Sequence, residues 1–140
     1  MPSIRYRQMK PQDFDALLEL WTLSPGVDVT RADTLAGLTF FLERNPELSF
    51  VAESGGQLVG AIMCGHDGRR GFIHHLVVYL PFQRQGIART LVSRSLDCLE
   101  QIGLEKCHLF IRRDNENGLK FWESIQWKER LELTMASYTF

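Results

Sequence analysis

The sequence predicts a mixed α/β fold, in which helices pack on a largely antiparallel sheet. Turn chemistry in residues 54–57 and again in 67–71 separates three strand-like runs, which predicts a hairpin extended by a third strand. Amphipathic helical stripes stand before and after these runs. The resulting order of elements is β-α-α-β-β-β-α-β-α-β, which is typical of a layered α/β domain.

The N-terminal elements follow from alternation and from helix start signals. Residues 4–8 alternate apolar and polar side chains and predict a short strand. Pro11 fits the first turn of a helix, where its missing N–H costs nothing. One apolar stripe then follows at helical spacing: Phe14, Leu17, Leu18 and Trp21. Residues 30–33 resemble a capping box and predict the start of a second helix, which Asn45 and Pro46 end.

Strands dominate the middle of the chain, and helices alternate with strands after it. The predicted strands are 48–53, 58–64, 72–80 and 106–112. A loop over 81–88 leads into a helix that ends before Gly103, with a predicted apolar stripe of Ile87, Leu91, Ser95, Cys98 and Ile102. Residues 115–125 predict a short helix. The alternating tail, 127–140, predicts a last strand or hairpin arm, whose exposed edge would favour a homodimer.

Length and composition narrow the class of protein. The 140 residues predict a single domain over 1–140. A net charge of −1 gives no general attraction to nucleic acid or to an anionic membrane. Three cysteines without a CxxC pair argue against a disulfide or zinc framework. With no apolar run of signal-peptide or transmembrane length, we expect a cytoplasmic protein that binds neither nucleic acid nor membrane.

The segment 76–89 carries the strongest chemical signal. A buried strand leads through a loop into the first turn of a helix, whose N–H groups have no intrahelical partners. Gly86 and Ala88 are small enough for an anion to approach the backbone, while Arg84 and Arg89 add positive charge. The sequence alone leaves two interpretations open: a phosphate or pyrophosphate site, or an ordinary strand–helix connection with small residues for packing.

The hexapeptide Gln83-Arg84-Gln85-Gly86-Ile87-Ala88 resembles the (Arg/Gln)-x-x-Gly-x-(Gly/Ala) signature of the GNAT superfamily of N-acetyltransferases. Residues 51–53 and 56–60 resemble its second and third strands, and 76–78 resembles the end of its fourth. Asn115, seven residues before Trp122, resembles the asparagine that opens its last helix. The resemblance spans nearly the whole chain. It implies a mixed, mostly antiparallel sheet of about six to seven strands with about four flanking helices.

The resemblance also implies a site for acetyl-coenzyme A, used as a co-substrate without a metal. The pyrophosphate would bind backbone amides of the hexapeptide and of Arg89, and the pantetheine would run along the strand that ends at Val78. The N–H of Val78 would polarise the thioester carbonyl, which makes Val78 a catalytic candidate. The implied cofactor contacts are Leu76, Val77, Val78, Gln83, Arg84, Gln85, Gly86, Ile87, Ala88, Arg89, Asn115 and Phe121.

Acid–base groups are less defined. Family members often carry a tyrosine acid in the last helix, but this chain has Trp122 there and Gln126 at the following glycine position, so no general acid is assigned. His74 is the candidate general base, with a surface or packed histidine as the alternative. In a regular strand His75 would face the other way, so the pair would not chelate one metal.

Glu53 and the adjacent residues Cys107 and His108 are interpreted as structural and not as catalytic. Glu53 is able to reach the acceptor cleft, but a structural ion pair is the simpler interpretation of it. Cys107 and His108 are adjacent in a predicted strand, so we expect them to face apart and to form no joint site.

The sequence therefore predicts an acetyl-coenzyme A-dependent N-acetyltransferase that acts on a primary amine of a small molecule or a protein. One alternative is a protein of the same fold that binds coenzyme A as a sensor or scaffold without turnover. Another is an unrelated binder of phosphate esters that uses the same helix terminus.

Overall fold

The computed structural model describes residues 3–140, which form two compact units that meet in sequence after Phe110. In chain order the elements of the first unit are β1 (Arg5–Gln8), α1 (Phe14–Thr22), α2 (Leu35–Arg44), β2 (Phe50–Ser54), β3 (Gln57–His66), β4 (Gly71–Val78), α3 (Ile87–Gln101) and β5 (Cys107–Leu109). The second unit, Ile111–Phe140, contains α4 (Glu116–Ser124). The single domain over 1–140 stays a prediction from length.

The strands form one sheet in which spatial order follows chain order. Within residues 3–140 it has five strands, β1-β2-β3-β4-β5. The first three pairings are antiparallel, and β5 alone runs parallel to its neighbour β4. The described residues form four α-helices besides these strands, so the predicted mixed α/β class is confirmed.

One face of the sheet is covered by α1 and α2. Val51, Ala61 and Val77 lie opposite one another on β2, β3 and β4. All three are buried in a cluster with Trp21 of α1 and Leu38 of α2. Because these side chains come from three neighbouring strands, the core fixes the register of the sheet.

Helix α3 packs on the opposite face, against β2, β3 and β4. Gly60 precedes Ala61 on β3 and therefore faces this helix. A Cβ at Gly60 would lie 3.0 Å from Ile87 Cγ2 and 3.3 Å from Leu91 Cδ1. The missing side chain thus lets the first turn of α3 approach the sheet closely.

The predicted turns around β3 are confirmed. Gly55 and Gly56 have φ of +57° and +81°, the left-handed conformation that a two-residue hairpin requires at both positions. At the other end of the strand, the Asp67 carboxylate accepts from the amides of Arg69 and Arg70, both at 2.8 Å. Gly103, with φ of +92°, follows α3 as expected for its C-terminal glycine. Ile102 is exposed rather than part of the buried stripe, because α3 ends at Gln101.

The start of α2 corrects the sequence prediction. Residues 30–33 form a turn in which Asp33 accepts from the Thr30 amide at 2.8 Å. The helix cap is Thr34, whose Oγ1 accepts from the Gly37 amide at 3.0 Å. The sequence prediction placed the start of α2 one turn too early. Residues 30–33 contain similar hydrogen-bonding groups, but these bond to one another in a separate turn before the helix.

The tail corrects a second prediction. Residues 127–140 form no strand, so the sheet has five strands rather than about six to seven. Leu131 and Tyr138 are 81% and 82% exposed. Alternation alone does not stabilise a strand, which needs a neighbouring edge for its backbone groups and cover for its apolar face. The edge expected for a second subunit is therefore not formed by these residues.

No helix among residues 3–140 combines the length and the apolar content that are needed to cross a membrane.

Arg7 of β1 forms ion pairs with Asp13, just before α1, and with Glu53 of the neighbouring strand β2. Its guanidinium contacts both Asp13 oxygens at 2.8 and 2.9 Å and donates from Nε to Glu53 at 2.7 Å. This confirms the structural interpretation of Glu53. Burial acts to raise the pKa of Asp13, but hydrogen bonds from Arg7 and from the Lys10 amide, with the charge of Arg7, outweigh it and hold that pKa below its ordinary 3.8.

We expect Asp13→Asn to lower the free energy of unfolding by about 1–3 kcal/mol at neutral pH, because the half-buried Arg7 guanidinium loses its bidentate partner. A carboxyl whose folded-state pKa is depressed stabilises the fold above its unfolded pKa and loses that contribution as the pH falls through the folded value. The difference between the wild type and the variant should therefore shrink below about pH 3.8. Urea unfolding between pH 7 and pH 3 measures it. The exposed Asp15→Asn is the control and should change stability by less than about 0.5 kcal/mol.

Candidate active site

The two edges of β4 are paired over different lengths. On one side β3 pairs with it as far as Val78. On the other side β5 pairs only with Gly71, Phe72 and Ile73. From Leu76 to Val78 the second edge is therefore not covered by β5, and an extended ligand can lie along it.

The amide of Val78 points toward this open edge. Tyr79 donates to the Val59 carbonyl at 2.8 Å, which makes Val59 and Tyr79 a hydrogen-bonded pair between the antiparallel chains. The next pair, Gly60 and Val78, is then a non-hydrogen-bonded one, so the N–H and C=O of Val78 point away from β3. In agreement, the Val78 carbonyl accepts from Gln83 Nε2 at 3.0 Å. This orientation suits the predicted role of the Val78 N–H as a donor to a bound carbonyl.

The loop after β4 leads into an uncapped helix terminus. Gly86 stands before α3 with φ of +83°, and no side chain caps the helix. The first amide that bonds within the helix is that of Thr90, which donates to the Gly86 carbonyl at 3.0 Å. The amides of Ile87, Ala88 and Arg89 therefore stand in the turn that has no intrahelical acceptors.

Charge and space at this terminus suit an anion. The first turn of α3 has no acidic residue. Arg84, with φ of +63°, and Arg89 are both exposed beside it. A Cβ at Gly86 would meet no atom within 4 Å, so this glycine is required by its backbone conformation and not by packing. The helix dipole and free amides together make this a favourable place for a phosphate group.

A cavity of about 340 Å³ lies on the α1/α2 face. Apolar walls come from Trp21 of α1, from α2, and from Met63 of β3. The full lining is Trp21, Thr30, Ala32, Asp33, Gly37, Leu38, Phe41, Met63, His74 and His75. Its volume is that of a small-molecule site.

Both histidines of β4 line this cavity, which corrects the prediction that they face apart. The pairing of β3 with β4 shifts register between Ala61 and Met63, and His75 has φ of +48°. A bulge of this kind adds a residue and interrupts the alternation of side chains. His74 and His75 therefore reach the same space, although they are neighbours in sequence.

The two rings have different surroundings. His75 Nε2 lies 3.0 and 3.1 Å from the two carboxylate oxygens of Asp33, and its ring meets Trp21 edge-on at 5.0 Å. His74 is exposed, and the centroid of its ring lies 5.8 Å from that of Phe41. Partial burial, assisted by neighbouring His75, lowers the pKa of His74 below its usual 6.5, and the charge of Asp33 opposes the shift.

Sequence reasoning did not identify Asp33 or Trp21 as site residues. Asp33 was interpreted as part of a helix cap and Trp21 as core. Trp21 is fully buried, and its indole Nε1 has no hydrogen-bond partner among residues 3–140. No local pattern connects Asp33 with His75, which is 42 residues later in the chain.

Cys107 and His108 face apart, as predicted. Cys107 lies beside Gly71 on the side of Leu99, whereas His108 lies against Phe72 at 5.8 Å. Burial raises the pKa of Cys107 to about 12, so its thiol stays protonated. Within residues 3–140 no cluster of three or more histidine, cysteine or acidic side chains is placed to hold a metal ion.

In the second unit, Asn115 caps α4. Its Oδ1 accepts from the Gly118 amide at 2.9 Å. Trp122, at the position of the family's tyrosine, packs between Phe121 at 5.2 Å and Trp127 at 4.7 Å. The contacts of Asn115 and Phe121 with a cofactor stay predictions.

Comparison with known proteins identifies the family. The model of the acetyltransferase (GNAT) family matches residues 14–126. An acetyltransferase from Pectobacterium atrosepticum is 32% identical over 130 residues, which cover 87% of this chain and 86% of that protein. An acetyltransferase from Photorhabdus laumondii is 34% identical, with 89% and 86% covered.

Solved structures support the same fold. The PaiA N-acetyltransferase from Thermoplasma acidophilum, in complex with coenzyme A, superposes with a TM-score of 0.80 at 19% identity and 90% coverage of both chains. AAC(6')-Iy, in complex with a bisubstrate analogue, superposes with a TM-score of 0.77 at 17% identity and 99% coverage of both. The signature at the start of α3 and the match over most of the chain agree, and the chain belongs to the GNAT family of N-acetyltransferases.

Proposed function

We propose that this protein transfers the acetyl group of acetyl-coenzyme A directly to a primary amine. The observation that carries the proposal is the open edge of β4 beside the uncapped start of α3. Amides from Gln83 to Arg89 bind the pyrophosphate, and Leu76, Val77 and Val78 line the pantetheine. The Val78 N–H donates to the thioester oxygen, where negative charge develops as the amine attacks.

The cavity beside β4 is proposed as the acceptor site. It adjoins the same strand, and its apolar walls and limited volume favour a compact amine with an apolar substituent. Holding that amine against the thioester converts a bimolecular encounter into a positioned attack, which supplies much of the rate without an acyl-enzyme. Coenzyme A and a bisubstrate analogue in the fold's relatives support the choice of co-substrate.

Thiol release decides between this proposal and a coenzyme A-binding sensor. The wild type, mixed with acetyl-coenzyme A, should release free thiol faster on addition of a compact primary amine. Tight coenzyme A binding without amine-dependent release from any member of an amine panel would favour the sensor. Binding of ATP in preference to coenzyme A would overturn both.

We expect Gly86→Asp to weaken coenzyme A binding at least about a hundredfold, because it places a carboxylate at the amides proposed for the pyrophosphate. Calorimetry measures the affinity. Gly68→Asp is the matched control, since Gly68 has a similar φ of +88° and equally open surroundings but lies in the turn between β3 and β4. Both variants carry the same backbone strain, so an equal loss of affinity in the control would contradict the assignment.

We expect Ala32→Phe to raise the KM for the amine about tenfold, because the larger side chain fills part of the cavity. Steady-state kinetics at saturating acetyl-coenzyme A measures it, and the affinity for coenzyme A should stay within about twofold. Ala36→Phe, at an exposed position of α2 outside the cavity lining, is the control. An unchanged KM in the Ala32 variant would place the acceptor elsewhere.

A further inference from the structure

We propose that His75, held in place by Asp33, is the catalytic residue that accepts a proton from the acceptor amine in the cavity. This inference rests on the proposed function and adds the proton acceptor, for which the sequence indicated His74.

The contact with Asp33 fixes the orientation of the His75 ring. Both carboxylate oxygens lie within 3.1 Å of Nε2. The Asp33 side chain is only 8% exposed and is itself held by the Thr30 amide at 2.8 Å. A neutral imidazole that donates from Nε2 carries its lone pair on Nδ1. Nδ1 has no hydrogen-bond partner among residues 3–140, so it is the ring atom left to accept a proton.

The backbone of β4 places this ring in the cavity. His75 adopts a φ of +48°, a conformation that is unfavourable for a residue with a side chain and that persists only where the surroundings impose it. It precedes Val78 by three residues on the same strand. We place the acceptor amine so that it reaches from the imidazole toward the Val78 amide, directly or through one water.

Asp33 distinguishes His75 from His74. When His75 takes up a proton, the adjacent carboxylate compensates the new positive charge, as in other histidine–carboxylate pairs. His74 contacts the apolar ring of Phe41 and has no carboxylate within hydrogen-bond distance among residues 3–140. Titratable groups that line the cavity are Asp33, His74 and His75, whereas α1, α2 and β3 contribute only the non-titratable Trp21, Gly37, Leu38, Phe41 and Met63.

Each proton that the reacting amine loses has a defined acceptor. The ammonium form of the amine gives one proton to His75 Nδ1, and the freed lone pair attacks the thioester carbon to form the C–N bond. The C–S bond breaks, and its electron pair leaves with the sulfur as a thiolate. A second proton from the nitrogen passes to the thiolate through solvent. His75 then releases its proton to water, so one ammonium and one thioester give one amide, one thiol and one proton.

The test is the pH profile of kcat/KM in histidine variants of the full-length protein. In the wild type, the acid side of the kcat/KM profile should contain a contribution from the proton acceptor in addition to the ionisation of the amine itself. His75→Asn keeps a residue that tolerates positive φ but removes the base. It should lower kcat/KM by about 10²–10⁴-fold and leave only the ionisation of the amine in the profile. Coenzyme A affinity and melting temperature confirm that the variant is folded.

Four further variants complete the experiment. His108→Gln, outside the cavity, should keep both the rate and the profile. His74→Gln should keep the acid-side fall. Asp33→Asn should lower kcat more than it raises KM and retain coenzyme A affinity, because it loosens the proton acceptor without removing it. His75→Gly relieves the backbone conformation, and added imidazole should restore at least about a tenth of its lost activity.

Several results would overturn the inference. The first is a His75→Asn variant with the wild-type pH profile. The second is a His74→Gln variant that shows the loss of rate and the changed profile expected of His75→Asn. The third is a folded His75→Gly variant whose activity imidazole does not restore. A wild type that releases no thiol with any amine overturns the proposed function and this inference together. An active wild type with an unaffected His75→Asn overturns this inference alone.

Discussion

The unequal pairing of β4 is the constraint on which the site depends. Its hydrogen bonds to β3 hold the strand in place as far as Val78, while β5 leaves it after Ile73. If both edges of β4 were hydrogen-bonded to other strands, no backbone amide would be left for a ligand. If neither edge were hydrogen-bonded, the amides would not be held in position. Because β4 is anchored on one side only, it can present the backbone of Leu76–Val78 to a ligand without losing its place in the sheet.

Three kinds of recognition meet around this strand, and each uses different chemistry. The start of α3 offers amides and positive charge, which suit a phosphate group. The open edge of β4 offers backbone hydrogen bonds to an extended chain. The bulge at His75 directs two imidazole side chains toward a largely apolar cavity. It also brings one of them, His75, into contact with Asp33. A regular β4 would have sent one of these side chains to the α3 face.

Sequence reasoning succeeded where one local rule decides the structure. Paired glycines fixed the turn at Gly55 and Gly56, and the small residues of the hexapeptide marked the start of α3. Sequence reasoning failed where contacts with residues distant in the chain determine the local structure. The positive φ of His75 carries no residue signal, because glycine is absent there. Asp33 has satisfying partners in its own turn, which concealed its contact across the chain. The alternating tail lacked a neighbouring edge, which no pattern within it reveals.

The close approach of α3 to the sheet at Gly60 means that core packing on β3 affects the position of the exposed N-terminus of that helix. Ile87, which rests over that glycine, belongs to the turn of the helix that presents its free amides, and Leu91 packs there from the next turn. Even one added methyl group would have to displace these side chains, because the available gap is about 3 Å. The position of the exposed amides at the start of α3 is therefore constrained by the packing of Ile87 against the sheet.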